Sequence, residues 1–258
     1  MNSNLLFIAG RASAIITLSI IFSITAIAQT SSAQDHFDNG KALSDKGDFA
    51  KAAAEYRKAI AASNGRHPQA HNSLGMMLGL MGDIDTAIRE FKIAIEQDTA
   101  YPEAHYNLGL ALSIKGDLAG AERELLRAIE LAPGSFAEAH NNLGILYARK
   151  GDSSRAIMEF KIAVEQTEGL YPDAHYNLGI ALFGAGRIEA AVREFKDAID
   201  QSGPFPEAHY NLAISLAKLG RNFEAARHFE LYLQQAENPD DRDEVLARIS
   251  LLRKMAMR

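Results

Sequence analysis

The chain lacks cysteine entirely and has no cluster of positive charge. Its 258 residues include 27 Lys and Arg against 33 Asp and Glu, which gives a net charge of −6. The missing thiol excludes disulfides, thiol catalysis and thiolate metal sites. Because nucleic-acid binding depends on clustered basic side chains that release counterions from the phosphate backbone, we expect no nucleic-acid partner.

Signatures of catalysis are missing as well. The sequence contains no G-x-S-x-G, no H-E-x-x-H and no glycine-rich phosphate loop followed by lysine. Carboxylates are plentiful, but they fall at solvated helical positions that have no reason to converge. An enzyme or enzyme subunit is therefore the least expected class of function, and we expect no cofactor, no metal site and no small-molecule substrate.

The N-terminal segment differs in composition from the rest of the chain. No charge occurs between Arg11 and Asp35, and residues 12–28 are apolar or small. This pattern predicts a secretory signal peptide at residues 1–28, ending at the small residues Ala26 and Ala28, with residues 31–33 as a second candidate cleavage site. The alternative is an uncleaved inner-membrane anchor within residues 5–28, although the apolar run is short against the roughly 20 residues that span a bilayer. In both cases we expect the remainder outside the cytoplasmic membrane, either periplasmic or secreted.

From residue 34 onward, a motif containing histidine and glycine returns at intervals of 34 or 35 residues. Its glycine position is occupied by Gly40, Gly75, Gly109, Gly144, Gly179 and finally Ala213. A second glycine follows seven residues after each of these, at Gly47, Gly82, Gly116, Gly151, Gly186 and Gly220. A fixed period of this length indicates an array of structural repeats, each too small to bury its own hydrophobic face.

Each copy of the motif predicts two helices joined by a tight turn. Gly116 ends the first helix, since glycine readily adopts the positive φ of a helix C-terminus, and Asp117 caps the second. Ala121, Leu125 and Ala128 follow at helical spacing and form the inner face of the second helix. The other copies repeat these roles with caps at Asp48, Asp83 and Asp152, a ring at Tyr56, Phe91, Phe160, Phe195 and Phe229, and helix starts at Pro68, Pro102, Pro172 and Pro206. Tyr232 is an exception, because it replaces the second small residue in the last copy.

This spacing of small and large residues resembles the tetratricopeptide repeat. The resemblance implies an all-α fold, a right-handed α-solenoid of six helix-turn-helix repeats over residues 34–239. We place the repeats at about 34–67, 68–101, 102–136, 137–171, 172–205 and 206–239. Residues 240–258 are expected to form a C-terminal capping helix, which shields the end of the array with an apolar face made by Val245, Ile249, Leu252 and Met255.

Histidine occupies one repeat position throughout, at His36, His71, His105, His140, His175 and His209. A metal row would require several of these imidazoles to approach one ion. Equivalent helices lie about 10 Å apart, whereas zinc holds each nitrogen at roughly 2 Å. We therefore predict that these histidines pack between helices.

The resemblance also implies a binding groove, because the position two residues after each histidine faces the concave surface in this family. That position carries Ser73, Asn107, Asn142, Asn177 and Asn211. A primary amide offers both a donor and an acceptor, which matches one peptide unit of an extended chain. Beside these amides stand the aliphatic residues Met76, Leu110, Ile145, Ile180 and Ile214 and the tyrosines Tyr106, Tyr176 and Tyr210. The alternatives are that the amides only solvate a helix and that the aliphatic residues contact the adjacent repeat.

Acidic residues recur at the start of the first helices, at Glu103, Glu138, Asp173 and Glu207. They fit the positive end of the helix dipole, and they would equally form an acidic edge to the groove. Arrays of this family that clamp a C-terminal carboxylate use Lys and Arg at groove positions, and here only Lys41 matches. A carboxylate clamp is therefore not expected.

Together these features predict an exported, non-catalytic scaffold that binds a partner protein or an extended peptide in its groove, in the cell envelope. The alternative function is a structural or tethering subunit of a membrane-associated complex, which an uncleaved N-terminal anchor would favour.

Overall fold

The computed structural model describes residues 32–132, 134–237 and 239–257, and the regular structure in these ranges is entirely helical. Helix α1 occupies residues 32–45. The following helices are α2 Phe49–Ala62, α3 Pro68–Leu80, α4 Ile84–Gln97, α5 Pro102–Lys115, α6 Leu118–Leu131, α7 Ala137–Arg149, α8 Ser153–Gln166, α9 Pro172–Gly184, α10 Ile188–Gln201, α11 Pro206–Lys218, α12 Asn222–Gln235 and α13 Arg242–Ala256. The predicted signal peptide or anchor at residues 1–28 lies outside the described residues. Among the helices described, none is both long and apolar enough to cross a bilayer.

The described residues form two compact units, divided between Gly116 and Asp117. Within each unit every helix packs against the next in sequence, and the tightest pairs are α3 with α4, α7 with α8, α9 with α10 and α11 with α12. The turns inside these pairs pass through glycines with positive φ, such as Gly82 at 87° and Gly151 at 79°. The predicted all-α repeat array is confirmed.

In three of these pairs, and in the pair α1–α2, a glycine of the first helix lies directly against an aromatic ring of the second, whereas Ala213 takes this position in the pair α11–α12. A Cβ built on Gly179 would lie 2.6 Å from Cε1 of Phe195, a separation that real Cβ contacts essentially never show. Equivalent contacts join Gly40 to Tyr56, Gly75 to Phe91 and Gly144 to Phe160. In these repeats the glycines leave room for the ring against the first helix, and backbone flexibility is not their role.

Alanines complete the inner face of each second helix. Ala121 and Ala128 are fully buried and Leu125 is 1% exposed, which confirms the predicted face. The same full burial holds for the paired alanines Ala52 and Ala59, Ala87 and Ala94, Ala156 and Ala163, and Ala191 and Ala198. Tyr232, at the second small position of the last repeat, is half-buried, and its hydroxyl donates a hydrogen bond of 2.8 Å to Asp241 Oδ1.

The aspartate caps form as predicted at three of four positions. Asp83, Asp117 and Asp152 each accept a hydrogen bond from the backbone N–H three residues further on. The prediction for Asp48 is wrong, because its carboxylate accepts instead from Lys51 Nζ at 2.6 Å.

Helix α13 buries most of the predicted apolar face against the end of the array. Val245, Ile249 and Leu252 are at most 6% exposed, whereas Met255 is 49% exposed. The assignment of Met255 to this face is wrong. Each three-residue step falls about 60° short of a full helical turn, so the two consecutive steps to Met255 move it to the edge of the stripe.

The histidines do more than fill space. Nδ1 of His175 lies 2.7 Å from Glu194 Oε2, and its Nε2 lies 3.0 Å from the carbonyl oxygen of Gly169. Both of these partners are acceptors when Glu194 is ionised, an arrangement that favours the protonated imidazole, in which both ring nitrogens donate. The hydrogen bond to Glu194 raises the pKa of His175 above its ordinary 6.5, against the opposing effect of burial. The same contact of 2.7 Å between Nδ1 and a carboxylate oxygen joins His36 to Glu55, His71 to Glu90 and His140 to Glu159, linking the two helices of these repeats.

The last repeat replaces this ion pair with two histidines. Nδ1 of His209 lies 3.0 Å from Nδ1 of His228, and the ring centroids are 5.2 Å apart. One nitrogen must donate while the other accepts, which requires that at least one imidazole be neutral. Burial lowers the pKa of His209, and burial together with the neighbouring His209 and Lys196 lowers that of His228 to about 4.

We predict that Gly179→Ala lowers the free energy of unfolding by about 1–3 kcal/mol, the usual cost of overfilling a packed core. Gly184→Ala in the same helix is the matched control, because nothing lies within 4 Å of the added Cβ. This control should be neutral or slightly stabilising, since alanine favours helix. Urea and thermal unfolding measure the difference, and equal stability of the two variants would contradict the close contact.

We predict that His175 titrates above 6.5, the ordinary histidine pKa, and that His209 and His228 titrate below it. The His175 pair stabilises the fold below that pH, and its contribution is lost as pH rises through the raised pKa. The His209–His228 pair acts in the opposite sense, because the unfolded imidazoles gain protons between 6.5 and about 4 while the folded pair resists them.

Nuclear magnetic resonance titration of the imidazole Cε1 protons tests both statements. Glu194→Gln should lower the pKa of His175 while leaving that of His228 unchanged. An unchanged His175 titration in this variant would show that the carboxylate is not the cause of the raised pKa.

Candidate functional site

The asparagines of the predicted groove hydrogen-bond between consecutive repeats. Asn107 Nδ2 donates to Asn72 Oδ1, and Asn177 Nδ2 donates to Asn141 Oδ1, both at 3.0 Å. The donor is half-buried and the acceptor is buried in each pair. These amides therefore tie neighbouring first helices together, a role beyond solvating their own helix.

The other two asparagines of the row bond differently. Asn211 Nδ2 donates to the hydroxyl of Tyr176 and to the carbonyl oxygen of Glu207, at 3.0 Å each. Asn142 Nδ2 donates to the carbonyl oxygen of Glu138, one turn earlier in α7.

In the first unit, α3 and α5 border a hollow of about 270 Å³, which we call the first hollow. Its walls include Met76 and Leu80 from α3 and Leu110 and Ile114 from α5, with Asn107 between them. Its floor is made by Gly75, Gly79, Ile84, Ala87, Phe91 and Ala111. Leu80 and Ile114 are 62% and 69% exposed, so the rim presents large aliphatic side chains to water.

In the second unit, α7 and α9 border a second hollow of about 300 Å³. It is lined by Ile145, Ala148, Arg149, Phe160, Asn177, Ile180 and Ala181. These residues occupy the same repeat positions as Met76, Gly79, Leu80, Phe91, Asn107, Leu110 and Ala111 of the first hollow. The two hollows differ chiefly at the rim, where Arg149 replaces Leu80.

A third hollow of about 360 Å³ lies where α9, α11, α12 and the start of α13 meet. It is lined by Tyr176, Glu207, Tyr210, Asn211, Tyr232 and Asp241. Aromatic rings and carboxylates replace the aliphatic side chains of the other two hollows.

The structure brings most of the predicted groove residues into these hollows. Those found there are Met76, Asn107, Leu110, Ile145, Asn177, Ile180, Tyr176, Tyr210 and Asn211. The half-buried residues Ser73, Tyr106, Asn142 and Ile214 do not line any of the three. Sequence reasoning missed Leu80 and Ile114, although each stands one helical turn after a predicted aliphatic residue, and this spacing could have identified them.

One group of side chains has the composition of a metal site. Ligand atoms of His175, Glu194 and Asp197 lie within 4.8 Å of one another. Both ring nitrogens of His175 are already directed at acceptors, Glu194 and the carbonyl of Gly169, so neither nitrogen is free to bind an ion. The group is better explained as an ion pair between helices than as a metal site.

Comparison with solved structures gives several related folds. A protein named MamA is 28% identical over 66% of this chain and 91% of its own, with a TM-score of 0.56. PilF of Pseudomonas aeruginosa is 16% identical over 85% of this chain and 99% of its own, with a TM-score of 0.75. YrrB, described as a TPR protein with an unusual peptide-binding site, is 18% identical over 77% of this chain and 97% of its own, with a TM-score of 0.59.

Comparison with curated proteins gives no significant match. The sequence profile of the tetratricopeptide repeat matches residues 37–78, 81–136 and 176–241, which is more than half of the chain. These matches agree with the helix pairs, the buried alanines and the glycine–ring contacts described above. The chain belongs to the tetratricopeptide repeat family.

Proposed function

We propose that this chain is a non-catalytic scaffold that binds an extended peptide, or an extended segment of a partner protein, in the first and second hollows. One observation carries the proposal: every residue that lines the second hollow occupies a repeat position that also lines the first, with aliphatic side chains, a phenylalanine and one asparagine in both. Repetition of a surface is what recognition of an extended chain requires, because similar contacts recur along its length.

The composition of the hollows suits a peptide. Each combines aliphatic walls with one asparagine, so an apolar side chain can be buried while the amide bonds the peptide backbone. The exposed rim of the first hollow, Leu80 and Ile114, gains most from such burial because these side chains otherwise face water. In the second hollow, Arg149 at the rim favours a more polar segment of the ligand.

Family membership supports the proposal. Tetratricopeptide repeat proteins generally serve as scaffolds for protein interactions, and one of the related folds, YrrB, is described as having a peptide-binding site. The affinity of such a scaffold arises from several modest contacts. We therefore expect that blocking one hollow weakens peptide binding, and that the fold is unaffected.

We predict that Ile180→Glu reduces peptide binding at least about tenfold, because it places a charge where an apolar side chain would be buried. The ligands are peptides selected on the intact protein from a random displayed library, and their affinities are measured by fluorescence anisotropy. Met158→Glu is the matched control, since Met158 is 51% exposed, Ile180 is 45% exposed, and Met158 lines none of the hollows.

The control should bind as the unaltered protein does, and both variants should melt at nearly the same temperature. Equal binding by all three proteins would defeat the proposal. We chose an aliphatic residue because replacing Asn177 would also remove its bond to Asn141 and confuse binding with stability.

We also propose that the scaffold acts outside the cytoplasmic membrane, a location supported by the composition of residues 1–28. We predict that N-terminal sequencing of the protein isolated from its native cell envelope finds a chain that begins at Gln29. A chain that still begins at Met1 would contradict cleavage and favour the membrane-tethered alternative.

A further inference from the structure

The third hollow has the composition of a cation site. Three tyrosines and two carboxylates line it, from Tyr176, Tyr210, Tyr232, Glu207 and Asp241. The negative faces of aromatic rings and the charge of carboxylates both attract positive groups. Its volume of about 360 Å³ far exceeds the roughly 30 Å³ that one water molecule occupies, so it can accommodate a side chain.

The rings are held in place before any ligand arrives. Tyr210 and Tyr232 have centroids 5.1 Å apart and planes inclined at 64°. Tyr210 also meets Phe229 edge-on at 5.5 Å, and Tyr176 packs on Phe205 at 4.9 Å. A ligand therefore meets a preformed surface and loses little affinity to ordering the protein.

The charge around the rings favours a positive ligand. Burial raises the pKa of Tyr232 to about 12, with further contributions from its hydrogen bond to Asp241 and from the charge of Glu207. The pKa of Tyr176 is raised by burial and by the charge of Glu207. The carboxylates that contribute to these shifts would also stabilise a cation, whereas burial disfavours charge of either sign.

One residue distinguishes the third hollow from the same region of earlier repeats. The position of Tyr232 carries alanine in every other repeat, at Ala59, Ala94, Ala128, Ala163 and Ala198. Asp241, just before the C-terminal helix, lies 34 residues after Glu207 and continues the row of acids that begins the first helices. The acid at the start of the first helix recurs elsewhere, so Glu207 alone would be explained by the helix dipole.

We propose that the third hollow binds the guanidinium group of an arginine in the polypeptide ligand, an inference that rests on the proposed function and names one residue of that ligand. A guanidinium is planar, stacks on aromatic rings and presents a fork of N–H donors to carboxylates, whereas the ammonium of lysine is a compact and strongly hydrated charge. The aromatic rings and the two carboxylates of the third hollow fit a guanidinium better than an ammonium.

The direct test titrates the full chain with Nα-acetyl-arginine N-methylamide and follows the tyrosine ring resonances. The citrulline analogue is the neutral control of the same shape, and the lysine analogue is the competing cation. We expect shifts at Tyr210 and Tyr232 that saturate with the arginine compound, about tenfold weaker binding of the lysine compound and no binding of the citrulline compound.

Conservative variants locate the site. Asp241→Asn can still accept the hydrogen bond from Tyr232, and Glu207→Gln keeps the side-chain shape, so each removes charge with little change in packing. Each should weaken arginine binding about tenfold, whereas the matched control Glu138→Gln, at the equivalent position of the fourth repeat, should leave it unchanged. Tyr232→Ala, which restores the residue of the other repeats, should abolish binding, with thermal melting used to verify its fold.

Equal affinity for the arginine and citrulline compounds, a preference for the lysine compound, or binding unaffected by Glu207→Gln and Asp241→Asn would each overturn the inference. Failure here is distinct from failure of the proposed function. If arginine does not bind while Ile180→Glu still disrupts peptide binding, this inference alone falls. If arginine binds while Ile180→Glu has no effect on peptides, the proposed function falls and the cation site remains.

Discussion

The close contact between a glycine backbone and an aromatic ring is the constraint on which the helix pairs depend. At Gly75, Gly144 and Gly179 the ring of the second helix occupies the space that any Cβ would need. The alanines on either side of the ring are fully buried, so the distance between the helices is set by small residues at fixed positions. The same contacts reach the hollows, since Gly75 and Phe91 lie in the floor of the first and Phe160 lines the second.

Polar contacts then join what the apolar contacts have brought together. Buried charges and amides are costly unless they are paired, and here they are paired. Histidine–glutamate pairs act within a repeat, as between His140 and Glu159, whereas asparagine bonds act between repeats, as between Asn177 and Asn141. One kind of bond joins the two helices of a repeat, and the other joins consecutive repeats. Each also fixes the helical register, since a displaced helix would leave its polar groups unpaired.

The last repeat departs from the others in each of these contacts. Ala213 replaces the glycine, His228 replaces the glutamate, and Tyr232 replaces the second alanine of the inner face. These substitutions lie next to α13, which packs on α12 as α11 packs on α10. The end of the array thus has a different surface chemistry from its interior, and the tyrosine-lined third hollow is part of it.

The sequence alone predicted the period, the helix pairs, the buried alanines and the aspartate caps at Asp83 and Asp152, because these depend on local spacing. It did not predict the partner of each histidine, although a constant separation of 19 residues, as from His71 to Glu90, was present in the chain. Asp48 does not cap its helix because Lys51 competes for the carboxylate. The preference of aspartate for cap positions takes no account of such competition. The hollows escaped prediction in part because residues such as Leu80 and Ile114 acquire their role only when two repeats are placed side by side.

The dependence of each hollow on two adjacent repeats determines what happens when such an array is lengthened. A glycine–ring contact is contained within one repeat, so a duplicated repeat contains both of the residues that the contact needs. A hollow, in contrast, exists only at a junction, since Met76 and Leu110, like Ile145 and Ile180, come from consecutive repeats. Inserting one repeat therefore replaces one junction with two new ones. Lengthening the array in this way changes the hollows, and with them the ligand specificity, at the point of insertion.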